Sequence, residues 1–443
     1  APPDCRDAPA MRQPSPLAAY RRRTELWLVV MAALITAVAY VLAALGKNST
    51  MPASIVPFLV ALLVLLLAAH VAVRFFAAGA DSTLLPLAVL LNGLGYVMIA
   101  RLSDERAAAQ TVWTFLGVVA FVATLVLVPR PADLQRFKWS FLAAGAALLM
   151  VPLVPGLGRS VGGARIWVGL GPITFQPGEL AKIALALFFA AYLSENRREI
   201  RESTHHVGPL TVPEPRYLLP ITAAWGFAVV VMVAEKDLGS ALLFFTLFTV
   251  MMWVATERGV YLVLGVTLFS AAAYLAYHLF AVVQVRVHVW LDPWSLYQGK
   301  GYQIVQAMFA FANGGTGGTG LGLGSPTKIP AAKTDYIFAA IGEELGMFGA
   351  TAVLIAFLLI IGAGLRIAIR ADRPFDKLLA IGLTTTVGMQ AFIIIGGVLR
   401  VVPLTGITLP FVSYGGASAV SLAFGLALVQ SHRVHDGGSS PLM

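Results

Sequence analysis

Apolar residues in this chain gather into long blocks separated by short polar joints. The hydrocarbon core of a bilayer is about 30 Å thick and takes roughly 20 helical residues at ~1.5 Å each. Twelve blocks come near that length: 26–45, 55–73, 83–100, 111–128, 139–154, 177–193, 217–234, 240–255, 260–283, 337–365, 378–399 and 405–429. The block at 240–255 is short, as in a broken or tilted helix. The pattern predicts an all-α fold, a polytopic transmembrane helical bundle of about twelve spans.

Basic residues sort the joints into two sets. YRRRTE, VPRPADLQRFKW, SENRREIRES, LRIAIRADRPFDK and the tail SHRVH alternate with GKNST, EKDLG and a long glycine-rich segment. Lysine and arginine favour cytoplasmic joints, so the first set and both termini are expected inside. Orientation then accounts for the net charge of +9, and no nucleic acid is needed as a partner. With 58% hydrophobic and 12% charged residues, no sizeable soluble domain is expected. The single Cys5 excludes an internal disulfide and a cysteine metal cluster. It lies in a polar segment without the order of a signal peptide, where Met11 is a candidate natural start.

The joint 284–336 far exceeds ordinary connections, which marks it as functional or disordered. Trp290, Trp294, Tyr302 and Phe309 argue for order. GKGYQIVQAMFAFAN has apolar residues at helical spacing, which predicts an amphipathic helix lying on the membrane surface. GGTGGTG, 314–320, matches G-x-G-x-x-G, but no strand precedes it and no Walker lysine follows. It reads as a flexible connection, whose amides can still cradle a diphosphate.

KTDYIFAAIGEELG, at the start of the tenth block, places Thr334 and Asp335 at the membrane boundary. By residue type a helix cap is the common role here. With Thr334 capping, Asp335 is free to face a cavity. Glu343 and Glu344 lie about 12 Å further along the helix and need partners inside the bundle, so structural ion pairing is expected. Elsewhere GARIW brings Arg165, and FQPGELAK brings Glu179 and Lys182, spaced to pair with each other. AEKDLGSA brings Glu235, Lys236 and Asp237, and RVVPLTGITLPFVSYGG brings Arg400, Ser413 and Tyr414. Singly, each has a structural explanation. Together, Arg165, Glu179, Asp237, Asp335 and Arg400 reach the expected outer face from five joints. Cations and carboxylates there suit a substrate with a charged head group and a lipid tail: the cations hold phosphates, and a carboxylate takes a proton from a hydroxyl.

GGARIW…FQPGELAK, KDLGSA, GYQIVQA…GGTGGTGLG, KTDYIFAAIGEELG and PLTGITLPFVSYGG occur in the order seen in the SEDS family (shape, elongation, division and sporulation). The chain resembles that family over about 161–431, closer to its RodA branch than to its FtsW branch, which commonly has Lys where Thr405 stands. Two spans ahead of the usual ten, together with Arg400, resemble actinobacterial members. The resemblance implies a tail over 1–25, N-terminal helices over 26–130, a core membrane domain over 131–431 with its outer loop at 284–336, and a tail over 432–443.

The resemblance also implies a peptidoglycan glycosyltransferase that polymerises lipid II at the outer face of the cytoplasmic membrane, serving cell elongation or shape. Its partners would be a class B penicillin-binding protein, lipid II and the nascent glycan strand. The family's essential aspartate falls on Asp335, the expected general base for the GlcNAc 4-hydroxyl. Arg165, Glu179, Lys182 and Asp237 match further motif positions. Lys328 and Lys333 join Arg165 and Lys182 as candidates to offset diphosphate charge, on proximity alone. Gly178, Lys236 and Ser240 depart from the motifs. Thr327 stands where many members carry Glu, and Ile394 where many carry Asn. Loss of that Glu weakens a two-carboxylate site and leaves a divalent cation, Mg or Mn, open. No ATP is required, because the donor is already activated. Two other functions stay in view: a lipid II flippase, which calls for midplane polar groups and repeats, and a non-catalytic scaffold indifferent to Asp335.

Overall fold

A computed structural model describes residues 16–429 apart from 50–54, 78, 162–163, 171–172, 203–204, 208–209, 213, 416–424 and 427–428. Its helices are α1 Pro16–Asn48, α2 Ile55–Phe76, α3 Leu84–Leu102, α4 Asp104–Leu127, α5 Lys138–Met150, α6 Pro177–Glu195, α7 Arg197–Glu202, α8 Pro215–Ala234, α9 Leu238–Thr256, α10 Val260–Leu279, α11 Ala281–Leu291, α12 Tyr302–Gly314, α13 Ile337–Arg370 and α14 Pro374–Val398. Among the described residues, eleven helical segments are long and apolar enough to cross a membrane. The chain is a multi-pass membrane protein.

The expected twelfth span, 405–429, lies partly outside the described residues, and its first part is corrected. Residues 405–415 are irregular backbone, with Gly406 and Phe411 at positive φ. Short strands break the all-helical pattern between α5 and α6. There β1 Gly158–Val161, β2 Ala164–Leu170 and β3 Ile173–Phe175 form an antiparallel sheet in the order β1-β2-β3. A second hairpin, β4 His205–Val207 with β5 Leu210–Val212, lies between α7 and α8.

Burial ranks the helices. The α6 segment is 83% buried and that of α10 only 6%. A helix apolar all round belongs inside a bundle, and the small residues of AKIALALFFAAYL let neighbours approach α6 closely. Gly145 of α5 rests on Leu185, and α14 and α9 pack on its other sides. At the end of the bundle away from Asp335, α1–α4 close over Val29, Leu66, Val73, Leu85, Phe121 and Leu125.

The long joint departs from expectation twice. The amphipathic helix exists as α12, but Ile304, Val305, Ala307 and Ala310 are buried against the protein, with Phe311 on Phe338 of α13. That face is therefore used by α13, while Phe309 stays exposed on the other side. The glycine run is pinned. At Gly346 the backbone of α13 breaks (φ 65°, ψ −164°), a conformation reserved for glycine. The run supplies the bonds the broken helix lacks: Thr319 N–H donates to Glu343 O at 2.9 Å and Gly320 N–H to Glu344 O at 3.0 Å, while Met347 N–H donates to Gly315 O at 3.0 Å. Gly346→Ala is expected to cost about 1–3 kcal/mol from backbone strain alone, read as a lower thermal midpoint in detergent.

Glu343 and Glu344 find the partners they were expected to need. Glu344 lies 3.2 Å from Arg101 Nε of α3 and accepts from Gly322 N–H at 3.0 Å. Glu343 accepts from Ser325 N–H at 3.0 Å. Gly322, at φ 83°, sits so close to α1 that a Cβ would meet Ala43 O at 2.5 Å. The glycine loop thus rests on α1 as well as on α13.

Candidate active site

Asp335 lies in the turn just ahead of α13, half-buried. The loop 405–414 holds that turn by its backbone. Ser413 Oγ donates to Thr334 O at 2.7 Å while accepting from Leu409 N–H at 2.9 Å, and Tyr414 N–H donates to Lys333 O at 2.9 Å. Gly406 faces the carboxylate: a Cβ there would lie 3.7 Å from Asp335 Oδ2. Across the loop, Gly239 at the start of α9 is packed against Thr405 and Ile407.

Arg286 of α11 is within electrostatic reach of both Asp237 and Asp335. Burial pushes the Asp335 carboxyl up to about 6, opposed by a hydrogen bond from Thr334 and by the positive charge of Arg286. Asp237 caps α9 by accepting from Ser240 N–H at 3.0 Å. Beside it Glu235 is 4% exposed, and burial followed by the like charge of Asp237 pushes it up to about 8.

An adjoining layer contains Glu179 and Lys182 of α6. Lys182 Nζ donates to Glu179 Oε1 at 2.6 Å and to Gln390 Oε1 of α14 at 3.2 Å. Gln390 Nε2 donates in turn to Thr408 O at 2.9 Å, tying the pair to the Asp335 loop. Glu179, Lys182 and Gln390 line the polar wall of a largely apolar cleft between α6, α13 and α14.

Three residues expected at the substrate are bonded to backbone. The guanidinium of Arg400 donates to Trp290 O and Leu291 O at 2.8 and 3.1 Å, and Trp290 Nε1 donates back to Arg400 O. It clamps the end of α11. Arg165 bonds Glu235 O through its N–H and Val154 O through its side chain. The hydroxyl of Ser413 is used on backbone at both ends. Lys328 is exposed and Lys333 half-buried, with no side-chain partner among the described residues. No group of three His, Cys, Asp or Glu side chains among the described residues is placed to hold a metal.

Arg286 and Gln390 were missed from the sequence. The signal existed for Arg286: AVVQVRVHVWL sets a lone arginine in an apolar run, where an ionised group needs a purpose. Most of this run falls in the joint 284–336, which the block pattern leaves as a loop. Gln390, wholly buried, carried no signal beyond a polar residue in an apolar block.

The chemistry of this end is that of a half-buried carboxylate with a half-buried arginine within electrostatic reach. The arrangement can take a proton from a hydroxyl and attract an anionic group.

Comparison with known proteins follows the same lines. The model of the FtsW/RodA/SpoVE cell cycle proteins matches residues 81–436, leaving α1 and α2 outside. Peptidoglycan glycosyltransferase RodA of Mycobacterium tuberculosis is 43% identical over 433 residues, covering 95% of this chain and 92% of that protein. A match of that extent includes most of α1 and α2. A probable peptidoglycan glycosyltransferase FtsW of Geobacter metallireducens is 31% identical over 367 residues, covering 79% of this chain and 93% of that one. Among solved structures, a chain from work on a peptidoglycan synthase complex that coordinates polymerization and crosslinking superposes with a TM-score of 0.66 at 28% identity, covering 79% of this chain and 96% of its own. The rod shape determining protein RodA of Thermus thermophilus gives 0.58 at 26% identity, covering 81% and 97%. The chain belongs to the FtsW/RodA/SpoVE family of cell cycle proteins.

Proposed function

We propose that the chain is a peptidoglycan glycosyltransferase that polymerises lipid II, with Asp335 as its general base. The observation that carries this reading is a carboxylate on a turn fixed by the 405–414 loop, within electrostatic reach of Arg286, with burial pushing it up to about 6. A general base works best when its pKa lies near the operating pH. In the reaction, ionised Asp335 takes the proton of the acceptor's GlcNAc 4-hydroxyl as that oxygen bonds to the anomeric carbon of the donor chain. The bond from that carbon to the diphosphate breaks, and undecaprenyl diphosphate leaves. Lys333 and Lys328, at the rim, offset the charge that develops on the leaving group. Asp237 shares Arg286 with Asp335 and keeps the guanidinium at the site. The Glu179–Lys182–Gln390 layer supports the loop from below.

The Asp335 end is assigned to the outer side of the cytoplasmic membrane, because the arginine-rich joints lie at the other end. The partner is assigned as a class B penicillin-binding protein, since the similar synthase complex couples polymerization to crosslinking.

Purified protein, with and without that partner, is given labelled lipid II in detergent and in vesicles. Glycan polymer is the expected product. Transbilayer movement of lipid II without polymer would replace the transferase by a flippase, and neither outcome would leave a scaffold. The role of Arg286 has its own readout. Its charge lowers the pKa of Asp335, so Arg286→Gln is expected to move the acid limb of the pH–rate profile above 6, and Arg286→Lys to move it back. An unchanged limb in Arg286→Gln would remove the arginine from the electrostatics of the base.

A further inference from the structure

The helices α1–α4 pack closely at one end, but at the Asp335 end they splay around a second chamber of about 740 Å³. Its walls are mostly apolar: alanines of all four helices, together with Tyr40, Tyr96, Val97 and Val112. Its mouth is charged, with Lys47, Arg101 and Asp104 among the lining residues. Packed interiors leave few voids larger than a water molecule, and this volume falls within the ~300–1,000 Å³ of ligand sites.

Chemistry selects the occupant. Acyl chains fit the apolar walls, and the mouth fits a phosphate. Among the described residues Lys47 is held by Asp104 alone, 3.2 Å away and 90% exposed. Such a surface pair is worth little, so a phosphate can take the place of Asp104. Arg101 Nη2 donates to Gly324 O at 3.1 Å, with Nε near Glu344, which fixes the guanidinium at the mouth.

We propose that this chamber binds one membrane glycerophospholipid, its phosphate on Lys47 and Arg101 and its acyl chains along the apolar walls. Six of the fifteen lining residues belong to α1 and α2, which lie outside the family-wide match, so the site is an addition to the common core. It also touches the glycine loop: Arg101 bonds Gly324, and Gly322 is seated on α1 between Ala43 and Lys47. The lipid therefore braces the loop that leads to Asp335.

Phospholipid retained by the full chain, after exhaustive detergent washing, tests this by native mass spectrometry and phosphorus assay. Wild type is expected to keep one glycerophospholipid per chain and to regain it from added phosphatidylglycerol. Lys47→Gln is expected to weaken retention at least tenfold. Ala44→Phe/Ala108→Phe, which fills the chamber, is expected to abolish it while melting within a few degrees of wild type. Equal retention by wild type and Lys47→Gln would overturn the head-group assignment. No retained lipid in wild type, or a polyprenyl phosphate in its place, would overturn the proposal. None of these readouts depends on transferase activity, so this site and the glycosyltransferase reading fail separately.

Discussion

Asp335→Asn is expected to reduce polymer formation by about 10²–10⁴-fold, the usual contribution of a positioned general base, without lowering thermal stability. Asparagine preserves shape and removes only the ability to accept a proton. The stability half of the expectation follows from the sign of the shift. Burial raises Asp335 from 3.8 to about 6, so the folded state holds this proton more tightly than the unfolded state does. The contribution is full below about pH 4 and lost as pH rises through 6. At pH 7 ionised Asp335 therefore costs up to about 3 kcal/mol, from a shift of about two units, and asparagine relieves that cost. Wild-type activity is expected to rise between pH 5 and 7, half-maximal near 6, and then level off. Polymer from Asp335→Asn at the wild-type rate would end the role of Asp335 as base. A fall in melting temperature would mean that the carboxylate is held by interactions stronger than its burial.

Lys182→Met is expected to have the largest effect on stability. Lys182 and Glu179 are 2% and 4% exposed and 2.6 Å apart. Removing the lysine leaves a carboxylate in the centre of a bundle with no counterion. Breaking such a pair costs about 3–5 kcal/mol, against a total stability of about 5–15 kcal/mol for a typical domain. Loss of folded yield, or a drop of many degrees in detergent melting, is expected. The double variant Glu179→Gln/Lys182→Met removes both charges and is expected to recover most of that loss, with Gln390 able to bond the new amide. If the single variant melts like wild type, water reaches the pair; if the double melts no better than the single, the loss comes from lysine packing and not from the stranded charge.

The block pattern was a sound guide to the helices because burial in lipid imposes one requirement on every residue of a span. It was a poor guide to 405–414, where LTGITLPFV is as apolar as a helix but is held irregular by bonds to Thr334 O and Lys333 O and by Gln390 on Thr408. Hydropathy reports that a segment leaves water, not how its backbone is satisfied. Motif position had a similar limit. It brought Arg165, Arg400 and Ser413 to the right end of the molecule, yet which atoms their donors reach depends on partners 11 to 110 residues away. Arg286 was legible as a charge in an apolar run, but its two carboxylates come from elements that only the fold brings together. Glu344 shows the opposite case: a buried carboxylate demands a cation, and Arg101 meets the demand.

The break at Gly346 divides a 34-residue helix into arms of unequal length. The long arm, 347–370, must adapt its tilt to the thickness of whatever bilayer surrounds it, as hydrophobic mismatch requires. The short arm, 337–345, follows α12 and the glycine loop instead, and its carbonyls at 343 and 344 are bonded outside its own helix. The glycine run bonds both arms, through Thr319 and Gly320 on one side of the break and Gly315 on the other, so a change of tilt in the long arm is expected to turn about Gly346. Turnover is expected to vary little across vesicles of short- and long-chain lipids.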